Sequence, residues 1–136
     1  MRLLNVDILA EDVHVLAGFY NQVLGLPFAL PYAREDGWAA LRIGEVMLFL
    51  LPSDQAERDP KRSPGEGGRP GLDSLALEVE DLDSSIDELG ESVTWAQSEP
   101  TRLEQPSGEV FRFRGLHDPE GNLIYLSEFT PSSRGN

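Results

Sequence analysis

The chain repeats itself. Leu4-Asn5-Val6-Asp7-Ile8-Leu9-Ala10-Glu11-Asp12-Val13 and Asp73-Ser74-Leu75-Ala76-Leu77-Glu78-Val79-Glu80-Asp81-Leu82 both alternate apolar with other residues, reach an acidic pair and resume with an aliphatic residue. Each segment predicts a strand that runs into a helix capped by Asp12 or Asp81. A carboxylate there accepts amides that the first helical turn leaves without partners. The two caps stand 69 positions apart. A repeat of this length restricts the architecture to tandem copies of one supersecondary unit.

The residues beyond each cap agree. Val13, Leu16, Ala17, Tyr20, Val23 and Leu24 recur at helical spacing and Gly25 offers a stop; Leu82, Ile86 and Leu89 do the same before Gly90. Three strand-like stretches come after each helix. The first set is near residues 28–32, 38–43 and 46–51, the second near 93–97, 110–114 and 122–129. Turn residues such as Glu35-Asp36-Gly37 and Asp118-Pro119-Glu120-Gly121-Asn122 separate them. The expected fold class is α+β: two tandem βαβββ modules whose mixed sheets curve into a cup with the helices outside. The expected organisation is one domain, with module one at 1–51, a flexible connection at 52–71, module two at 72–130 and a tail at 131–136.

The connection contains four prolines and four glycines, which exclude a regular helix or central strand. Its four acids balance its four bases, so the net charge of −13 resides in the flanking modules. Such acidity argues against nucleic acid as a partner, because polyanion binding needs a basic face. It suits solubility or the attraction of a cation. The longest apolar run, Val46 to Leu51, is far short of the roughly 20 residues a membrane helix needs. Asp7 interrupts the N-terminal segment before a signal-peptide core can form. The chain has no cysteine, hence no disulfide and no thiolate metal site. A cytoplasmic protein is the expectation.

Two motifs resemble a known family. Asp12, Phe19-Tyr20 and Leu24-Gly25-Leu26 are similar to the opening signature of the vicinal oxygen chelate superfamily, which includes glyoxalases, bleomycin-resistance proteins and extradiol dioxygenases. Phe111-Arg112-Phe113 followed by Asp118-Pro119-Glu120-Gly121-Asn122-Leu123-Ile124 is similar to its closing segment. The resemblance covers nearly the whole chain outside residues 52–71. It implies the cup-forming fold, a small-molecule ligand and, as often in the family, a homodimer. Metal-using members place a ligand, usually His or Glu, in each of four strands, and those positions correspond here to Asn5, Leu48, Ser74 and Tyr125. None is an imidazole or a carboxylate, the donors a divalent transition metal prefers. His14, on the first helix, and His117, beside a turn, are not placed for that site. The resemblance therefore implies a metal-free member with no cofactor.

Strand alternation assigns side chains to faces. Asn5, Asp7 and Leu9 are expected in the cup, with Ser74, Ala76 and Glu78, with Val46, Leu48 and Leu50, and with Leu123, Tyr125 and Ser127. Phe111 and Phe113 are expected to pack outward, leaving Arg112 and Arg114 inward or at the rim. Glu128 alternates away from the cup as a surface residue. The candidate ligand-binding set is Asn5, Asp7, Trp38, Leu48, Ser74, Glu78, Arg112, Arg114 and Tyr125. One function consistent with it is sequestration of a planar or cationic molecule by stacking and acidic attraction, with Trp38 as platform or as ordinary sheet packing. Another is a lyase-, isomerase- or dioxygenase-like enzyme with an atypical metal site, or with Glu78 or Asp7 as general base and Tyr125 or Arg112 stabilising an oxyanion. A third use of the two acids is structural, as ion-pair partners of Arg112, Arg114 or Arg42.

Overall fold

The computed structural model describes residues 1–53 and 74–132. These form two compact units, one on each side of the connection, and each contains one mixed sheet. The expected flexibility of residues 52–71 falls almost entirely outside the described residues. Of that segment Pro52 and Ser53 are described, and both continue the sheet: Pro52 pairs with Ala10, and Ser53 N–H donates to the Ala10 carbonyl.

In the first unit β1 (Asn5–Ala10) leads into α1 (Val13–Gly18), and β2 (Ala39–Ile43) and β3 (Val46–Pro52) complete the order β1-β3-β2. β3 runs parallel to β1 and antiparallel to β2. Asp12 caps α1 by accepting the Val15 N–H at 3.1 Å. The helical path continues as a π-turn over Phe19–Val23, and Gly25 leaves it at φ 77°. The strand expected near 28–32 is reduced to one bridge, Phe28 to Leu41. Pro27 and Pro31, which lack an N–H, flank it and limit the ladder.

The second unit repeats the plan. β4 (Ser74–Glu78) leads into α2 (Leu82–Leu89), capped by Asp81 through the Ser84 N–H at 3.1 Å. Then come β5 (Thr94–Trp95), β6 (Thr101–Glu104), β7 (Val110–His117) and β8 (Leu123–Thr130), in the order β4-β8-β7-β5 with β6 also on β7. β8 runs parallel to β4 as β3 does to β1. Nothing in the residue pattern signals β6, four exposed residues with a single aliphatic side chain. β5 and β6 share one edge of β7 and are parted by a bulge. There Gln97 accepts the Gly115 N–H on its side chain, and Arg114 donates to the Gln97 and Ser98 carbonyls.

One face of each sheet is covered by its own helix. In the first unit the cross-strand rows Val6-Leu48-Leu41 and Ile8-Leu50-Ala39 share a face. Leu41, Leu48, Leu50, Leu16 and Ala17 are fully buried, which puts this face against α1. In the second unit Leu75-Ile124-Leu116 and Leu77-Leu126-Arg114 share a face with Glu128, whose carboxylate accepts the first amide of α2 at Leu82. Among the described residues, the opposite faces carry no helix of their own unit. Neither helix is long and apolar enough to cross a membrane.

Candidate functional site

The open face of the first unit is built from rows Asn5-Met47-Arg42 and Asp7-Phe49-Ala40, followed by Leu9 and Leu51. Asp7 is exposed, and Asn5 Nδ2 donates to its Oδ1 at 2.7 Å, which holds the carboxylate beside Phe49. Trp38 stacks against Phe49 with ring centroids 6.4 Å apart and 29° between planes. Ala40, in register with Phe49, is fully buried. The result is a half-buried aromatic pair bordered by one carboxylate.

The second unit presents an equivalent face. Its rows are Ser74-Leu123-His117, Ala76-Tyr125-Gly115 and Glu78-Ser127-Phe113. Asn5 and Ser74 begin equivalent strands, so Phe49 and Tyr125 hold equivalent positions, as do Ala40 and Gly115. Tyr125 meets Phe113 edge to face, centroids 5.5 Å apart, where Phe49 meets Trp38 in a stack. A carboxylate again borders the pair: Glu78, exposed, in the row of Phe113. Sequence reasoning missed Phe49 and Phe113 as members of these faces. The repeat carries a signal for Phe113, a small residue with an aromatic two positions earlier, Trp38-Ala40 and Phe113-Gly115, and none for Phe49.

Three assignments from alternation are corrected. Leu48, with Val46 and Leu50, does not face the open side. Its partners Val6 and Leu41 belong to the helix face, so the β3 residues beside Asn5 and Asp7 are Met47 and Phe49. Arg112 and Arg114 do not face the open side either. Arg112 bonds Asp83 of α2 at 3.0 Å and Glu128 at 3.5 Å, and Arg114 lies 4.3 Å over the Trp95 ring. Phe111 and Phe113 therefore occupy the open face instead of packing toward the helix. Glu128 is more than a surface residue: it is half-buried and accepts the Leu82 N–H at 3.0 Å.

The charged groups settle into structural roles on the helix side. The Arg112 guanidinium, by direct hydrogen bond and by charge, holds the Asp83 carboxyl below the usual aspartate range. Asp118, 4% exposed, accepts the Glu120 and Asn122 amides and the Asn122 side chain, so the Asp-Pro-Glu-Gly-Asn motif is a turn device. His14 is exposed on α1 and shares a 2.6 Å hydrogen bond with the Tyr32 hydroxyl, whose ring stacks on Phe28. Burial, then the charges of Asp12 and Glu35 against that of Arg34, raises the Tyr32 hydroxyl above its ordinary value.

The side chains at the four positions where metal-using relatives keep their ligands do not fit a transition metal; the imidazole and carboxylates of the open faces, His117, Asp7 and Glu78, lie at other positions. Asn5 already donates to Asp7, Met47 and Phe49 replace Leu48 at the β3 position, and Ser74 and Tyr125 offer neutral hydroxyls. Among the described residues no three His, Asp or Glu side chains cluster closely enough to hold an ion.

Comparison with known proteins agrees with this architecture. Residues 2–126 match the model of the "Glyoxalase/Bleomycin resistance protein/Dioxygenase superfamily". The "Uncharacterized protein YraH" of Bacillus subtilis (strain 168) is 32% identical over 130 residues, 93% of this chain and 97% of that protein. A glyoxalase/dioxygenase from Nostoc punctiforme superposes with a TM-score of 0.71 at 17% identity, covering 96% of this chain and 92% of that one. A glyoxalase family protein from Enterococcus faecalis gives 0.66 at 26% identity, covering 93% and 97%.

Proposed function

The chain belongs to the glyoxalase/bleomycin resistance protein/dioxygenase superfamily, and from that premise we propose that it is a metal-free binder of a small aromatic or cationic molecule. The observation that carries this reading is the register of Asp7 with Phe49, whose ring is stacked with Trp38. Aromatic faces attract cations through their quadrupole, and a carboxylate at the border adds charge attraction. A mainly apolar surface with few fixed polar groups is also the usual composition of small-molecule sites. The net charge of −13 favours the approach of a cation at low ionic strength. A cytoplasmic location and sequestration of a toxic compound, as in antibiotic resistance, accord with this chemistry.

Catalysis by Glu78 as a base is the weaker reading. Of its two oxyanion candidates Arg112 lies on the opposite face of the sheet, bound to Asp83 and Glu128, which leaves Tyr125 alone on the face of Glu78. Isothermal titration calorimetry tests the binding reading with an N-alkylated aromatic cation and its uncharged isostere. The cation should bind more tightly, and Trp38→Ala and Asp7→Asn should each weaken it while leaving the isostere less affected by the charge change. Equal affinity for the two probes would remove the support for a cation site.

A further inference from the structure

The open face of the first unit carries opposite charges on its two outer strands. Asp7 stands on β1 and Arg42 on β2, with β3 between them. Register puts Asp7 in the row of Phe49 and Ala40, and Arg42 in the adjacent row with Met47 and Asn5. Strand spacing and rise set their Cα atoms about 12 Å apart on the diagonal. Both residues are exposed, and among the described residues no ion pair joins them.

Each charge is held on its own strand. Asn5 Nδ2 donates to Asp7 Oδ1 at 2.7 Å, which leaves Oδ2 for another donor. The Arg42 backbone N–H donates to the Pro27 carbonyl at 2.8 Å, while no described residue bonds its guanidinium. Arg112 and Arg114 of the second unit differ in this respect, since both are engaged by acids or carbonyls on the helix side.

Between the two charges lies the Phe49 ring, stacked with Trp38. The row on the other side of Asp7 is aliphatic: Leu9, 58% exposed, is in register with Leu51. The face is therefore graded along its strands, from aliphatic, through carboxylate and aromatic ring, to guanidinium. An acidic group on a ligand finds its counter-charge at Arg42, whose planar fork receives a carboxylate through two parallel N–H donors. The net charge of −13 opposes a simple anion at long range, so Arg42 acts at contact on a ligand that its own cation has brought to Asp7. The second unit keeps a nitrogen-bearing side chain at the equivalent place. There His117, in the row of Ser74 and Leu123, corresponds to Arg42 in the row of Asn5 and Met47.

We propose that the ligand is an aromatic zwitterion, with its cation toward Asp7, its ring on Phe49 and Trp38, and its acidic group on Arg42. Arg42 is then the residue that separates a zwitterion from a simple cation. This inference rests on the binding reading above and narrows its ligand class.

Three probes test it by calorimetry at low ionic strength. Phenyltrimethylammonium carries the cation alone, para-(trimethylammonio)benzoate adds a carboxylate across the ring, and benzoate carries the acid alone. The zwitterion should bind about fivefold more tightly than the cation, and benzoate more weakly than either. Arg42→Gln should cancel the gain without weakening phenyltrimethylammonium, and Arg42→Lys should keep part of it. Arg102→Gln, the same change of charge in the second unit, should leave the gain intact. A cation that binds as tightly as the zwitterion would overturn this inference alone. So would a gain that survives Arg42→Gln, or one that Arg102→Gln removes equally, with native circular dichroism in each variant. No binding of either the cation or the zwitterion would overturn the binding reading as well.

Discussion

The ring of Tyr125 lies across Gly115: a Cβ at that glycine would stand 3.1 Å from Tyr125 Cε1 and 3.2 Å from Leu123 Cδ1. Glycine inside a strand ordinarily weakens it by roughly 0.5–1 kcal/mol relative to alanine. Crowding a packed site costs about 1–3 kcal/mol. The crowding term is the larger, so Gly115→Ala should destabilise the protein by about 1 kcal/mol in urea titration, with an unchanged m-value. In a Tyr125→Ala background the same substitution should cost less, because the ring is gone and the Leu123 methyl alone remains close.

Glu128 joins α2 to the sheet by accepting the Leu82 N–H at 3.0 Å and by pairing with Arg112. Removing it strands a helix amide and takes one of two carboxylate partners from Arg112, which keeps Asp83. Glu128→Ala should cost about 1–2 kcal/mol. Glu128→Gln retains an acceptor for Leu82 and should cost less. Urea titrations of the two variants check the order, and equal losses would deny the capping role.

Asp83 gives stability a dependence on acid. Its hydrogen bond to Arg112, reinforced by charge, depresses the folded-state pKa. A depressed carboxylate contributes stability that is fully present above the unfolded value, near about pH 4, and is lost as pH falls through the lower folded value. Melting temperatures measured from about pH 6 down to about pH 3 should therefore fall less steeply below about pH 4 in Asp83→Asn than in the wild type. The salt bridge is well exposed to solvent, so added salt should shrink the difference.

The features legible in the sequence are those whose chemistry is local to the backbone. Asp12 and Asp81 are read as caps because capping needs only a short acceptor at a helix start, and both accept the expected amides. The family motifs work the same way: Phe19 and Tyr20 are buried, Gly25 and Gly121 take positive φ, and Asp118 closes its own turn. Face assignment in β3 and β7 is not local. Val46 to Leu51 is apolar on both faces, so alternation carries no phase, and only the register with β1 supplies one. In β7 the alternation Phe-Arg-Phe-Arg is clear but inverted. The arginines point toward the helix side because Asp83, Glu128 and Trp95 lie there to receive them.

Adjacent residues of β3 make the sharpest contrast. Leu48 is fully buried under α1 between Val6 and Leu41, while Phe49 stands on the open face between Asp7 and Ala40. Leu48→Ala leaves a cavity in a core that cannot collapse freely and should cost about 2–5 kcal/mol. Phe49→Leu keeps apolar volume on a half-exposed surface and should cost less than about 1.5 kcal/mol. Binding should respond in the opposite order. Phe49→Leu removes the ring that stacks with Trp38 and stands beside Asp7, and should weaken an aromatic cation by roughly 1 kcal/mol, about fivefold. Leu48→Ala, measured at a temperature where it remains folded, should bind that cation nearly as the wild type does. Urea titration and calorimetry on the same two proteins would expose the reverse pattern at once, and that pattern would return Leu48 to the ligand face and Phe49 to the core.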